Sequence, residues 1–546
     1  MNDLLSQFEQ IAKSIESDYL SSKFYRFKIR NYSASFLRSG TAIVAAIVGF
    51  LIFNLSVLSW GETPTEQARQ LLNFCLANPN KCSLSVNYIT GGWERHLNAD
   101  RLNVLASTFK LIPLIAYAEA VAHGRINPNR LVNRDDWSRF WVGRDGGALS
   151  KAWLRLGQPI EVEVDQMVGA MMRESDNATP DWLLNELGVD ALEKVIHKYL
   201  VGYHDLPKSI AAIFISWDGN PRETAIGDRV VGDYSGFETY GYKSEVESWF
   251  EELKDPSFVS DVRNYFCISL PWDSPPVPCQ LPSIFISELN YRKLEDRYFT
   301  QSNTRTYNRL MTGLLERTLL PSNLQEIIES HLEWRLESGS DRFRRYAMKG
   351  GSLATRQGLT ILTRTTYVET LSNAPGSDRG VRAAVTIHLR GAGDLLPDLQ
   401  NSLANFAAAL VEDPSFAIEV QNAIPEEVPK PDLISRINCF NGSRGNSEDL
   451  LQMKIDTFNV GTERSTNPSS LSLFLSDDNI LDSGDQLIGI RPIGNLKAGG
   501  RHSTAISVPG MSPADGRFLI LIIDKNNNIG ESDEENNLQW ERIRLP

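Results

Sequence analysis

Strand candidates bracket a long helical stretch in this chain, and that order restricts its fold more than any other feature. One strand reads at Leu84–Ile89 (LSVNYI), and strands return only at Thr360–Glu369 and Arg382–Arg390. Between them, apolar residues recur at helical spacing over Val164–Met172, Thr179–Leu187, Val189–Leu200, Ser244–Lys254, Tyr307–Leu319 and Asn323–Leu336. A closing helix reads at Leu395–Val411. Such an order predicts a sheet that draws its strands from both ends of one α+β domain.

A chain of 546 residues is too long for one core, so more than one domain is expected. Pro425, Pro429 and Pro431, set among charges, mark a stiff linker over 423–433. Beyond it the texture changes. Short alternating strands, such as Leu471–Leu475, Thr504–Val508 and Phe518–Ile523, are separated by Gly, Asn, Asp and Pro turns. Residues 434–546 therefore read as one all-β sandwich, and 63–422 as the α+β domain.

Upstream of both, Gly40–Ser59 carries no charge and is long enough to cross a bilayer as a helix. Lys23, Arg26, Lys28, Arg30 and Arg38 precede it, and Glu62 and Glu66 follow. This asymmetry predicts a single-pass anchor at 40–60, with the 1–39 tail cytoplasmic and the rest periplasmic or extracellular. A cleaved signal peptide is the competing reading. The long leader and the lack of a small-x-small site after the apolar run weigh against it.

The cysteines bear on the same question. Cys75 and Cys82 flank one short loop, Cys267 and Cys279 another, and Cys439 is left over. Two short-loop disulfides in an oxidising compartment fit, as do five unpaired structural thiols; spacing does not decide connectivity. No zinc spacing or His-Glu-x-x-His occurs, so neither metal nor cofactor is expected. The formal net charge of −13 argues against a sequence-independent nucleic-acid partner, which needs clustered Lys and Arg.

Chemistry concentrates in three short motifs. Ser107-Thr108-Phe109-Lys110 opens an apolar helix that reads from Ser107 to about His123. A three-residue step puts Ser107 and Lys110 on one side of that helix. An amine among Phe109, Leu111 and Ile112 loses its preference for charge and can take a serine proton. Ser175-Asp176-Asn177 follows in a loop ahead of a helix, and Lys349-Gly350-Gly351 leads into a strand. Singly, each reads as a helix cap or a turn. Lys497-Ala498-Gly499, in the β-rich region, is such a turn. Pro113, six residues into the Ser107 helix, implies either a kink or a proline absorbed by packing.

The ordered set resembles the penicillin-recognising serine hydrolases, the class A β-lactamases and their penicillin-binding relatives, over Thr63 to Asp413. Leu105-Ala106-Ser107-Thr108-Phe109-Lys110 and Lys349-Gly350-Gly351-Ser352-Leu353 both carry the likeness. The resemblance implies an antiparallel sheet flanked by helices, and a β-lactam or peptidoglycan-type amide or ester as substrate. It makes Ser107 the nucleophile and Lys110 the amine that helps deprotonate it. Ser175 would relay a proton to the leaving nitrogen, and Asn177 would hold Lys110 and a substrate amide. Lys349 would attract a substrate carboxylate and repel charge on Lys110. Gly350 and Gly351 would let substrate approach the strand, and the Ser107 and Ser352 N–H groups would form the oxyanion hole.

Two departures shape the expectation. Ser175 and Lys349 lie 174 residues apart (349 − 175), beyond the family's usual interval. No Glu-x-x-Leu-Asn occurs, so the glutamate that activates the deacylating water is missing; Asp205, Asp218 and Glu223 occupy the right stretch without the right neighbours. Either slow deacylation or another ester or peptide substrate is expected, and a catalytically weak envelope-binding or adhesion module is the alternative. Near the C-terminus, Asp524, Asn526, Asn528 and Glu535 match calcium-loop spacing, yet Ile529 takes the glycine position, which favours an Asn/Asp-rich hairpin. Asp477, Asn479, Asp482 and Asp485 read likewise. Ile437–Trp540 resembles a CARDB-type immunoglobulin-like domain, through Asn459-Val460-Gly461, Leu475-Ser476-Asp477, Asp485–Gly489 and Glu531–Asn537. That resemblance implies a spacer or a binder of carbohydrate or protein.

Overall fold

Long alternating segments from the two ends of the first domain meet in one antiparallel sheet, as the element order predicts. The structure is a computed structural model. It describes residues 63–141, 147–205, 299–355, 358–393, 396–426, 430–443, 450–478, 480–509, 517–532 and 534–542, with isolated positions between 209 and 272. These lie in one compact unit, Thr63–Pro546. The Gly40–Ser59 segment, Cys267, Cys279, Asp218, Glu223 and all of the expected Ser244–Lys254 helix but Lys254 lie outside the described residues. Among the described residues no helix is long and apolar enough to cross a membrane.

The first strands are β1 (Cys82–Tyr88) and β2 (Trp93–Leu97). Four short strands follow: β3 (Asn103–Val104), β4 (Leu131–Asn133), β5 (Glu161–Glu163) and β6 (Gln301–Ser302). Then come β7 (Phe343–Thr355), β8 (Gly358–Asn373) and β9 (Gly380–Gly393). The main sheet runs β2-β1-β9-β8-β7, and β3 pairs with β6 apart from it. In β8 and β9, alternation sends Leu362, Val385, Ile387 and Leu389 to one face, and Thr363, Thr365, Thr386 and His388 to the other. The register Thr363↔His388 and His388↔Ser83 fixes a polar row across the sheet.

Helices cover both faces. On the apolar side, α1 (Pro64–Ala77) and a late helix over Leu396–Glu412 bury Leu71, Leu72, Leu403, Phe406 and Leu410 against β1 and β9. Thr63 and Glu66 form a capping box at the start of α1, and Cys75 is disulfide-bonded to Cys82 at the start of β1. That bond decides one of the pairings spacing left open.

The other face carries α2 (Leu111–Ala122), α3 (Arg134–Ser138), α4 (Ala148–Arg155), α5 (Val164–Arg173), α6 (Ala178–Leu187) and α7 (Val189–Tyr199). With them pack α8 (Thr304–Glu316) and α9 (Ser322–Leu332). The late helix is α10 and is followed by α11 (Pro414–Ala423).

One expected helix is two elements. Ala106–Lys110 is a 3₁₀ turn, and the α-helix starts only at Leu111. Pro113 is therefore the third residue of α2, within the first turn, where a missing N–H breaks no helical bond. No kink is required. The Lys349-Gly350-Gly351 motif also differs from expectation: it lies in the middle of β7, paired with Thr365, Arg364 and Thr363, instead of ahead of a strand.

The C-terminal part is a two-sheet sandwich. Strands β10 (Leu433–Ser443), β11 (Leu450–Asn459) and β14 (Arg501–Pro509) form one sheet. Strands β13 (Gln486–Ile493), β12 (Ser469–Ser476), β15 (Phe518–Ile523) and β16 (Leu538–Arg542) form the other. Leu433, Ile455, Leu471, Leu473, Leu519 and Leu521 fill the space between. The calcium-like loop is a turn: Asp524 adopts φ 48°, and its carboxylate accepts from Ser469 Oγ at 3.0 Å and from the Ile529 N–H at 2.8 Å. Asp482 and Asp485 similarly serve local turns, accepting from Gly484 and Asp482 N–H groups.

Glu531 is buried in this sandwich, where it accepts from the Leu433 N–H and from Asn537. Burial, reinforced by nearby Asp432, outweighs those bonds and pushes its carboxyl up to about 8. A raised carboxyl favours the protonated fold, so its stabilisation is complete below its ordinary value and disappears as pH climbs through 8. Glu531→Gln should match wild type in unfolding free energy at pH 5 and exceed it by about 2 kcal/mol at pH 8.5. Parallel pH profiles in denaturant titrations of the two proteins would rule this out.

Candidate active site

Two non-glycine residues in the left-handed backbone region stand at the centre of the helical face: Ala106 at φ 45° and Ser175 at φ 68°. Such conformations cost about 1–3 kcal/mol each and persist only where the surroundings hold them. At Ala106 the restraints are visible. The Leu105 carbonyl accepts from Thr363 Oγ1 at 2.9 Å and from Thr108 Oγ1, while the Leu105 N–H donates to Thr300 O at 3.0 Å. The turn that follows presents Ser107 half-buried, and among the described residues its hydroxyl has no hydrogen-bond partner.

Lys110 closes that turn and is fully buried. Its Nζ donates to Asn177 Oδ1 at 2.6 Å, to Ser175 O at 2.6 Å and to Ser175 Oγ at 3.3 Å. The Ser175–Asn177 segment divides its work. Asp176 caps α6, accepting from the Ala178 N–H at 3.0 Å and the Thr179 N–H at 2.9 Å. That leaves Ser175 and Asn177 turned toward Lys110. Capping alone therefore accounts for only one residue of the motif.

Lys349 arrives from β7. Its Nζ donates to Ser175 Oγ at 2.8 Å and to Gly350 O at 3.0 Å, so one hydroxyl accepts from two amines. Burial first, then neighbouring Lys110, then Arg364, holds the Lys349 amine well below its ordinary range. Two residues on, a Cβ at Gly351 would lie 2.3 Å from Ser107 N and 2.9 Å from the Ala106 Cβ. At Gly350 the nearest atom is Thr363 O, at 3.5 Å. Gly351 is thus the point where the strand and the Ser107 turn touch, and Ser352, exposed, follows it on β7.

Ser107, Lys110, Ser175, Asn177, Lys349 and Gly351 are thus gathered from segments up to 244 positions apart (351 − 107). Three neighbours escape sequence reading. Thr363 holds the Leu105 carbonyl, Arg364 adds charge near Lys349, and His388 sits across from Thr363. Alternation along β8 is the one signal that could have turned Thr363 toward the site. His388 is buried, both ring nitrogens lack a partner among the described residues, and burial holds its imidazole down to about 3. Asp205, expected as a water-activating candidate, has its carboxylate engaged by the Gln301 N–H at 2.9 Å and by the Tyr203 hydroxyl.

Residues 65–210 match the model of the beta-lactamase enzyme family, and residues 430–540 match CARDB. The first match takes in Ser107, Lys110 and Ser175–Asn177 and stops short of Lys349. No curated protein matches the sequence. Among solved structures, a beta-lactamase from Sphaerobacter thermophilus is 14% identical, covering 65% of this chain and 97% of that one at a TM-score of 0.36. A beta-lactamase from Chitinophaga pinensis is 12% identical, with 63% and 98% covered and a TM-score of 0.34. The TLA-1 extended-spectrum beta-lactamase is 11% identical, with 65% and 100% covered and a TM-score of 0.37. The segment from residue 65 to residue 210 is thus similar to the beta-lactamase enzyme family, and the sandwich that follows the linker is similar to CARDB domains.

Proposed function

We propose that this protein is a serine hydrolase that acts through an acyl-enzyme on Ser107, on β-lactams or peptidoglycan-like amides and esters. The observation that carries this is the hydrogen-bonded cluster of Lys110, Ser175, Asn177 and Lys349, together with a Ser107 hydroxyl that has no partner among the described residues. In the reaction, Ser107 Oγ bonds to the substrate carbonyl carbon while the C–N or C–O bond breaks. The serine proton passes to the Lys110 amine and through the Ser175 hydroxyl to the leaving atom. The Ser107 and Ser352 N–H groups face the developing oxyanion, and Asn177 orients a substrate amide. Lys349, its charge suppressed by burial, regains a proton readily when a substrate carboxylate arrives, because opposite charge favours the ammonium form.

Deacylation is slow on this reading, because Glu-x-x-Leu-Asn is missing and the Asp205 carboxylate is already engaged. The uncharged Gly40–Ser59 segment anchors the protein, and its basic upstream flank keeps the tail cytoplasmic. One experiment addresses both halves. A membrane-impermeant fluorescent penicillin and a fluorophosphonate are applied to intact spheroplasts, and the adduct is mapped by mass spectrometry. The expected result is a stable acyl group on the tryptic peptide Leu102–Lys110, with a single turnover of nitrocefin. An adduct elsewhere, or none with either probe on solubilised protein, overturns the acyl-enzyme. Labelling only after lysis overturns the orientation.

A further inference from the structure

The strand that leads to Ser107 is held from the C-terminal sandwich. Strand β3 pairs with β6 at Asn103↔Ser302 and Val104↔Gln301. A ladder of two residues is weak on its own. Behind it stands Asp205, which exchanges backbone and side-chain bonds with Gln301: its N–H donates to Gln301 O at 2.9 Å, and its carboxylate accepts the Gln301 N–H at 2.9 Å. The Tyr203 hydroxyl donates to the same carboxylate. Onto Tyr203 comes Arg436 of β10. Its Nε donates to the Tyr203 hydroxyl at 2.8 Å, its Nη2 reaches Gln301 Oε1 at 3.3 Å, and its guanidinium lies 5.5 Å from the ring centre.

Apolar packing closes the same joint. Tyr203, Ile434 and Val460 form one buried cluster, with Leu102 and Phe458 against it. Leu102 immediately precedes β3, and Tyr203 meets Phe458 edge-on at 5.1 Å. A second contact, Arg501 Nη1 to His197 Nε2 at 3.3 Å, joins α7 and does not reach β6. The strained Ala106 backbone needs restraint from both sides. Thr363 and Gly351 supply the sheet side; β6, backed by the sandwich, supplies the other.

We infer that the CARDB domain is a working part of the hydrolase, with Arg436 a positioning residue that acts through Tyr203, Asp205 and β6 on the Ser107 turn. The inference rests on the proposed acyl-enzyme for its kinetic readout, and a second readout is independent of activity. In the full chain, Arg436→Ala and Tyr203→Phe should slow labelling of Ser107 at saturating fluorescent penicillin about tenfold, with the half-saturating probe concentration little changed. His197→Ala, which removes the second contact from the exposed α7 side, should leave that rate unchanged. Amide hydrogen exchange over 99–110 should accelerate about tenfold in Arg436→Ala and Tyr203→Phe but not in His197→Ala. If all three variants exchange alike over 99–110, the sandwich is only docked there and the inference is overturned, whatever the probes label. Unaltered exchange in Arg436→Ala has the same consequence, whereas failure of the probes on wild-type protein removes only the acyl-enzyme.

Discussion

Lys110→Met slows acylation of Ser107 about a thousandfold while the protein still folds. Lys110 is fully buried, and its three described bonds all go to Ser175 and Asn177, the segment that would carry the proton onward. A positioned proton acceptor contributes about 10²- to 10⁴-fold, so its removal strikes the chemical step. Stability moves less, because two effects oppose. Removing a buried amine relieves its desolvation, whereas Asn177 Oδ1 and Ser175 O lose a donor at a cost of about 1–3 kcal/mol each. Methionine keeps the length and apolar stem of the lysine, so no cavity opens. The rate of covalent labelling at saturating probe, with a thermal melt beside it, reads both effects. A rate within threefold of wild type would reduce Lys110 to a structural cation.

Gly351→Ala costs about a hundredfold in acylation, whereas Gly350→Ala stays close to wild type. The neighbouring glycines differ in what a methyl group would meet. At Gly351 it would fall 2.3 Å from Ser107 N, a backbone atom that moves only if the nucleophile turn moves. At Gly350 it would meet Thr363 O at 3.5 Å, ordinary contact. Displacing the turn misplaces the Ser107 hydroxyl and the N–H proposed for the oxyanion together, and an error near 1 Å is worth about 10² in rate. Overpacking of this kind also destabilises by about 1–3 kcal/mol. Labelling rates for the pair decide the matter: equal rates would mean that β7 does not set the position of Ser107.

Much of the architecture was legible because alternation and helical spacing are local. The expected Arg382–Arg390 strand lies inside Gly380–Gly393, and the expected Val189–Leu200 helix matches Val189–Tyr199 to within one residue. Expectations failed where backbone geometry depends on distant partners. The Ser107 helix begins as a 3₁₀ turn because Ala106 is held at φ 45° by Thr300, just ahead of β6, and by Thr363 on β8, which local propensity cannot register. Lys349-Gly350-Gly351 reads as a turn from its glycines, yet pairing with Thr363–Thr365 keeps it extended in mid-strand. The Cys75–Cys82 bond was undecided in sequence, because connectivity depends on where the end of α1 meets the start of β1.

On its own, the order of residues singled out Ser107 and Lys110 as candidates for acyl chemistry, because three short motifs occur in one order along the chain. It also determined that a β-rich module follows a proline-marked joint. Only the tertiary structure decided that Ser175 accepts from both lysines, that Gly351 touches the Ser107 turn, and that Arg436 reaches Tyr203 and Gln301. Those contacts join positions from 65 to 244 residues apart, and they depend on sheet register and on the meeting of two cores. Register is fixed by the sum of many weak apolar preferences, which no short motif records.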